Sequence, residues 1–336
     1  LAPPSPIGEC RGPAAAALHS TGGVSNVGSW WHLQATLDDN GALSGWDLEV
    51  GAPGTRRSIV ALPAAATVSG PSRGRVVVAI EGSPSIVRII RPAAGCKADL
   101  AIRDRIVRRA VADPHEPGLL AHLLEPGSRR DLGIWRITPD GTVAERVLEP
   151  LSAGTLAAAG MSEAWTTDLH LDPTGSHLAV QSCDPDRCLT RIVAIVSGAV
   201  TTVGGEGQGL YLGLSSVGMI AWAACGGLPC DVEAWDVATG AARIVASNVT
   251  GAAMSGDGRT LVVRRVGVDG AGPGHLESID LASGRTAPLE GVAFDGRPLD
   301  VGAAAGAGIE GDGRSIGVAD SRGYALNIAI DPEAYR

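Results

Sequence analysis

The chain has 336 residues, of which 45% are hydrophobic but only 3% aromatic, and it carries 47 glycines and 21 prolines. Its formal net charge of −9 and its pI near 5.3 argue against a nucleic-acid backbone as the main partner. Turn formers at this level suit many short strands rather than long helices, and no run approaches the ~18–20 apolar residues of a membrane-crossing helix.

In chain order, residues 1–13 form a Pro-rich segment, "LAPPSPIG" and the residues after it. It has the look of a mature end left after a signal peptide or anchor was removed, a spacer expected to be poorly ordered unless Cys10 ties it down. Residues 14–336 are expected to form a single domain. "DDNG" (38–41) reads as a hairpin turn, without the spaced ligands of a calcium loop. A repeating hairpin follows, an apolar strand, a small-residue turn with glycine and a second strand. It occurs as "WDLEVGAPGTRRSIVAL" (46–62), "IRPAAGCKADLAI" (90–102), "WRITPDGTVAERVL" (135–148), "VAIVSGAVTTV" (193–203), "WDVATGAARIVA" (235–246) and "IDLASGRTAPL" (279–289). A truncated copy, "IAIDPEAYR", ends the chain. The glycine falls at Gly51, Gly95, Gly198, Gly240 and Gly284, and one residue later at Gly141.

A second hairpin lies upstream of several copies, as "LHLDPTGSHLAVQS" (169–182), "AAMSGDGRTLVVRR" (252–265) and "AGIEGDGRSIGVAD" (307–320). Asp-Gly and Thr-Gly turns between apolar runs signal hairpins because glycine supplies the positive φ they need. Together the two hairpins define a four-stranded antiparallel unit whose length falls around the ~40–50 residues of a propeller blade. Third strands are expected near 44–50, 85–91, 132–138, 190–196, 232–237, 276–281 and 324–330. The fold class is therefore all-β, a β-propeller of about seven four-stranded blades. Six or eight would follow from a different reading of the weak N-terminal unit. A strand within residues 7–18 is expected to complete the last blade and close the ring, hiding two edges. No helical periodicity interrupts the pattern.

Strand–"PDG/GDG"–strand followed by "WDVATG" or "IDLASG" resembles the WD40-like repeats of bacterial TolB-type propellers, strongly over roughly 163–320 and weakly before 110. The resemblance implies the fold; the family spans periplasmic scaffolds, protein-binding subunits and a minority of enzyme-associated domains.

Six cysteines are present. Cys183–Cys188 ("CDPDRC") and Cys225–Cys230 ("CGGLPC") each flank a short hairpin, where cross-strand Cβ atoms lie ~4.5–5.5 Å apart, and a twisted hairpin end can meet disulfide geometry. A zinc site would need four thiolates to converge from loops of different blades, and a redox switch would need a lowered thiol pKa. Cys10 and Cys96 are left as each other's partner, a bond that would clamp the N-terminal segment to a third–fourth strand turn. Fully paired cysteines point to the periplasm, cell surface or medium.

Catalytic signatures are weak. "GLSSVG" (213–218) lacks the spacing of a nucleophile elbow, and no phosphate loop, HExxH or dinucleotide motif occurs. "DPHEPG" (113–118) offers Asp113, His115 and Glu116 for acid–base or metal chemistry, yet sits at a hairpin turn where polar residues are expected. No cofactor and no metal are expected. Trp46, Trp135 and Trp235 recur at one repeat position and are read as packing between blades, with Trp222 also buried. Trp30, Trp31 and Trp165, with His32 and His170, are the candidate platform for a partner or a sugar. The expected function is a non-catalytic, extracytoplasmic protein-binding scaffold or accessory subunit whose partners are other protein subunits. The alternatives are a small-ligand or carbohydrate-binding propeller, or a propeller hydrolase or lyase whose site leaves no linear motif.

Overall fold

The structure, a computed structural model, describes residues 5–10, 30–51, 58–72, 75–113, 117–172, 175–203, 208–214, 219–225, 230–236, 238–254, 260–265, 275–289, 304–309, 315–320 and 325–329. Two short strands open it, β1 (Ser5–Pro6) and β2 (Gly8–Glu9). A first meander follows of β3 (Trp30–Leu37), β4 (Leu43–Gly51) and β5 (Ser58–Pro63). The second holds β6 (Ala66–Ser72), β7 (Arg75–Ile80), β8 (Ser85–Arg91) and β9 (Cys96–Ile102). The third holds β10 (Ile106–Ala112), β11 (Leu119–Leu124), β12 (Asp131–Ile137) and β13 (Val143–Leu148). A six-residue helix, α1 (Ala153–Ala158), stands before β14 (Trp165–Leu171), β15 (His177–Cys183), β16 (Cys188–Ala194) and β17 (Val200–Val203).

Next come β18 (Gln208–Leu214), β19 (Met219–Cys225), β20 (Cys230–Asp236), β21 (Ala242–Met254), β22 (Thr260–Arg265), β23 (His275–Asp280) and β24 (Thr286–Leu289), joined in one sheet. The last sheet is β25 (Ala304–Ile309), β26 (Ser315–Asp320) and β27 (Ala325–Ala329). By compactness the chain divides into Leu1–Leu171 with Val193–Ala199, and Asp172–Ile192 with Val200–Arg336.

The turn chemistry explains the regularity. In the β20–β21 hairpin the Asp236 carboxylate accepts the backbone N–H groups of Ala238 and Thr239, and the Gly240 N–H donates to the Asp236 carbonyl. Gly240 holds φ +69, the left-handed conformation that glycine adopts without steric cost. The β23–β24 hairpin repeats the device with Asp280 and Gly284. Gly51 does not belong to this set: it is buried at the end of β4, opposite Trp30, and makes no turn. The stretch after it, 52–57, lies outside the described residues.

The third strands expected from the sequence coincide with β4, β8, β12, β16, β20, β23 and β27. The helix α1 was not anticipated. Ser152 caps it by accepting the Thr155 N–H, so a single turn forms without a 3.6-residue apolar stripe.

Within the first unit, β7 is buried on both faces. Val76 and Val78 join Leu48, Val50, Val60, Leu62 and Ile90 in one cluster. Val77 and Ala79 join Ile89, Ile102, Leu119, Leu123 and Ile137 in another. Strand alternation sends successive valines of "RVVVAI" to opposite sides, so a continuous apolar run marks a sheet packed between two others. Trp46 and Trp135 pack against these clusters, as the repeat position implied. In the second unit Trp235 packs against Ala179, Ile192 and Val203. Trp222 lies on β19, where the backbone alone is described.

The N-terminal strands behave differently from expectation. β1 pairs in parallel with β5, Ser5 opposite Ser58, and β2 pairs in parallel with β9, Gly8 opposite Cys96. They extend the outer edges of the first two sheets, and among the described residues no N-terminal strand joins β25–β27. Residues 11–18 of the expected closing strand lie outside the described residues. Cys10 is bonded to Cys96 and its N–H donates to the Lys97 carbonyl, while Lys97 Nζ lies 3.2 Å from Glu9. Ile7 packs against the first apolar cluster. The segment is therefore held as an edge strand, which covers the unpaired backbone groups that β5 and β9 would otherwise present.

Candidate functional site

Of the five residues read as a recognition platform, the structure describes the side chains of two. Trp30, Trp31 and His32 lie at the start of β3, where the backbone alone is described. Trp165 is the first residue of β14 and is 46% exposed. His170 lies five residues on, roughly 16 Å along the strand at ~3.3 Å per residue, and its Nε2 meets Asp168. Cys183 and Cys188 are bonded to each other across the β15–β16 turn, and the Asp184 carboxylate accepts the N–H groups of Asp186 and Arg187 inside it. Cys225 and Cys230 end β19 and begin β20, next to the paired Ala224 and Asp231; their side chains lie outside the described residues.

"DPHEPG" does not offer free acid–base groups in its described part. Asp113 is fully buried, and its Oδ2 accepts from Arg136 Nε at 2.6 Å. His115 and Glu116 lie outside the described residues. "DDNG" is a hairpin turn, with the Asp38 carboxylate accepting the N–H groups of Asn40 and Ala42. "GLSSVG" is described only at Gly213 and Leu214, which end β18. Among the described residues, no group of His, Cys, Asp or Glu could hold a metal ion.

What the structure does assemble is a set of charged side chains at one end of the first unit. Antiparallel pairing of Ile106 with Leu124 sets the β9–β10 link (103–105) beside the β11–β12 hairpin (125–130). Pairing of Ser85 with Ile102 brings the β7–β8 turn (81–84) to the same end. Glu81 ties its turn to β10 and to the β11–β12 hairpin: its carboxylate pairs with Arg108 of β10 through one oxygen and with Arg129 through the other, the latter at 2.9 Å. Burial pushes the Glu81 carboxyl up, but hydrogen bonds from Arg108 and Arg129 outweigh it and hold it below its ordinary value. Glu125 plays a similar part, accepting from Ser128 at 2.7 Å and from Arg130 at 3.2 Å. The Ser128 hydroxyl first, then the charges of Arg130 and Arg105, keep that carboxyl low as well.

A bulge in β10 makes the arrangement possible. Val107 pairs with Leu123 and Arg109 with His122, which leaves Arg108 as the extra residue. A bulge re-aims the side chains around it; Arg108 reaches Glu81, and its carbonyl accepts from Thr67 Oγ1 on β6. Arg109 faces β14, where its guanidinium lies 3.5 Å from Asp168. Asp168 also meets His170 Nε2 at 2.8 Å and accepts the Leu169 N–H. Burial raises the Asp168 carboxyl and lowers the Arg109 guanidinium; His170, then Arg109 and the Leu169 N–H, bring the carboxyl to a net value below normal. The pair therefore joins neighbouring first strands as an ion pair, and its groups are engaged with one another.

In the sequence alone, the adjacent arginines Arg108–Arg109 and Arg129–Arg130 look like ordinary solvated strand faces. The local signals are Glu125 at the start of the hairpin that carries Arg129 and Arg130, and the Asp-x-His spacing of "DLH" (168–170), which puts both groups on one strand face.

No family model matches the chain, and no curated protein matches it. Solved structures do. A chain of the mitotic checkpoint complex is 16% identical with a TM-score of 0.53, over 91% of this chain and 85% of that one. The β-propeller domain of Cps50 (Swd1) from Myceliophteria thermophila is 12% identical with a TM-score of 0.51, over 93% of this chain and the whole of that one. A puromycin hydrolase (S511A mutant, complexed with PGG) is 15% identical with a TM-score of 0.55 over 98% of this chain, but the match spans 57% of the hydrolase. At these identities the likeness is one of fold, a β-propeller, and the neighbours include both assembly components and hydrolases.

Proposed function

We propose that this chain is a non-catalytic, extracytoplasmic protein-binding scaffold or accessory subunit of a larger assembly, built as a propeller of about seven blades. The observation that carries the reading is the loop end of the first unit. Glu81 and its two arginines pin the β7–β8 turn and the β11–β12 hairpin to the start of β10, while Arg129 and Arg130 remain 53% and 69% exposed. Loops held in place before binding lose less conformational freedom on association, and exposed Arg and Trp are the side chains that dominate protein interfaces. The buried Asp113 and half-buried Asp168 carboxylates are engaged in ion pairs, which suits a supporting role better than bond chemistry. The Cys10–Cys96 and Cys183–Cys188 bonds support an oxidising compartment. Likeness to a chain of an assembly and to Swd1 supports protein partners, and the hydrolase likeness supplies the rival reading.

The test is the native size of the protein in a gentle extract of its own organism. Migration well above 34.0 kDa, in fixed ratio with other proteins, is the expected result and names the partners. Migration as a lone monomer overturns the subunit reading and directs attention to ligands at Trp165 and to hydrolase substrates.

A further inference from the structure

We infer that the arginine-bearing loop end of the first unit is a docking surface for an acidic polypeptide segment, one whose Asp and Glu side chains engage Arg129, Arg130, Arg105 and Arg103. The inference rests on the scaffold reading and names the chemistry of its partner.

The local charge runs against that of the whole chain. Across the molecule acidic residues outnumber basic ones, 36 to 27. In the β7–β8 turn, the β9–β10 link and the β11–β12 hairpin the order is reversed: Arg103, Arg105, Arg129 and Arg130 outnumber Glu81, Asp104 and Glu125, and Arg108 on the adjoining β10 adds a fifth positive charge. Asp131, which follows the hairpin, is turned to His122 at 2.9 Å and to the Gly133 N–H. Each glutamate therefore serves two arginines. Glu81 takes Arg108 and Arg129, and Glu125 takes Arg130 at contact distance and Arg105 through space. A guanidinium has five donors in a planar fork and can receive a second carboxylate beside the first. What this surface lacks, electrostatically and in hydrogen-bond acceptors, is carboxylate.

The arginines are also pre-positioned. Arg129 stands at φ +56, and its N–H donates to the Glu125 carbonyl at 2.9 Å. Arg130 donates its backbone N–H to Ser128 Oγ. The hairpin that presents both is thus fixed by its own hydrogen bonds before any partner arrives. Pre-positioned arginines act as carboxylate receivers with little ordering cost. The connections that make up the surface are short turns, across which an extended segment can lie. An acidic partner is repelled by most of this molecule and attracted here, so the patch selects orientation as well as partner.

The experiment is fluorescence anisotropy of the intact protein with three labelled probes at 20 and 150 mM NaCl. The probes are a Glu/Asp-rich dodecapeptide, a Lys-rich dodecapeptide of the same length, and oligogalacturonate as an acidic sugar. The expected result is that the acidic peptide binds best, weakens with salt, and loses affinity at least tenfold in the double variant Arg129→Asn/Arg130→Gln. Asn tolerates the left-handed backbone at position 129, and an unchanged thermal midpoint shows that the variant folds. A second variant, Arg103→Gln/Arg105→Gln, gives a partial loss, whereas Arg285→Gln on the β23–β24 turn gives none. Equal binding of the two peptides, tighter binding of the acidic sugar, or full binding by both loop variants overturns the inference. A protein that co-purifies equally with the wild type and the Arg129→Asn/Arg130→Gln variant keeps the scaffold reading and overturns this one alone.

Discussion

At Asp113 a carboxylate with no exposed area faces Arg136, whose guanidinium also reaches Glu145 on the neighbouring strand. Truncating one partner of a buried pair strands the other, at a cost of about 3 kcal/mol, whereas removing both is far milder. Arg136→Met is therefore expected to lower the urea midpoint sharply, and Asp113→Asn/Arg136→Met to recover much of the loss in a double-mutant cycle. Equal losses in the single and double variants would contradict the pairing. Asp168 makes a pH-dependent counterpart. Its folded value lies below the ordinary carboxylate value near 3.9, so its ionisation stabilises the fold above that pH and the contribution fades as pH falls through the lowered folded value. Asp168→Asn is expected to lower the thermal midpoint at pH 7 and to differ progressively less from the wild type below about pH 4. A gap that stays constant down to pH 2.5 would show that the carboxylate's charge is not what matters.

Single elements show which features the sequence made legible. Hairpins announced themselves because one residue decides a turn: Gly240 and Gly284 at positive φ, each after an aspartate that caps its own loop. The third strands were located to within a residue or two for the same reason. The β10 bulge left no such trace, because Arg108 is displaced by what it meets, Glu81 from a turn 27 positions earlier and Thr67 from 41 positions earlier. The β1 and β2 pairings were equally hidden, since a two-residue strand carries no periodicity and its partner is chosen by a distant edge. The cysteine pairing of the N-terminal segment was legible, its parallel register was not. That segment yields a further prediction. Closing a loop of 86 positions removes on the order of 4–5 kcal/mol of unfolded-chain entropy in the simplest model. The Cys183–Cys188 loop spans five positions and is worth about half of that. Cys10→Ser is expected to lower stability more than Cys183→Ser/Cys188→Ser, and to make the segment before Cys10 the first point of cleavage in limited proteolysis. The reverse order of stabilities would show that the edge pairing, rather than the cross-link, holds the segment.

On the scale of the whole molecule, core and surface follow different rules. Apolar alternation along β7 and β8 allots side chains to two neighbouring sheets, and that logic is visible in the sequence because it repeats. Recognition surfaces do not repeat: the arginines and glutamates of the 81–84, 103–105 and 125–130 connections come from two adjacent repeat units and appear as a site only when the sheets stack. This is why the propeller could be read from turns while the platform of Trp30, Trp31, His32, Trp165 and His170 rested on residue type and approximate position in the repeat.

One strand also has a mechanical consequence. Through residues 242–249, β21 is the outer strand of one meander, and through 249–254 it is the first strand of the next, with Asn248 at φ +60 where it changes partners. Two springs joined by a loop can be stretched one at a time; two that share a single wire cannot. Under an optical trap, residues 208–289 should therefore give way in a single rip of about 28 nm of contour length, at ~3.4 Å per residue. Inserting a short Gly-Ser stretch after Asn248 should split the rip into two unequal steps. Two steps in the unmodified chain would mean that the shared strand transmits no load between the meanders.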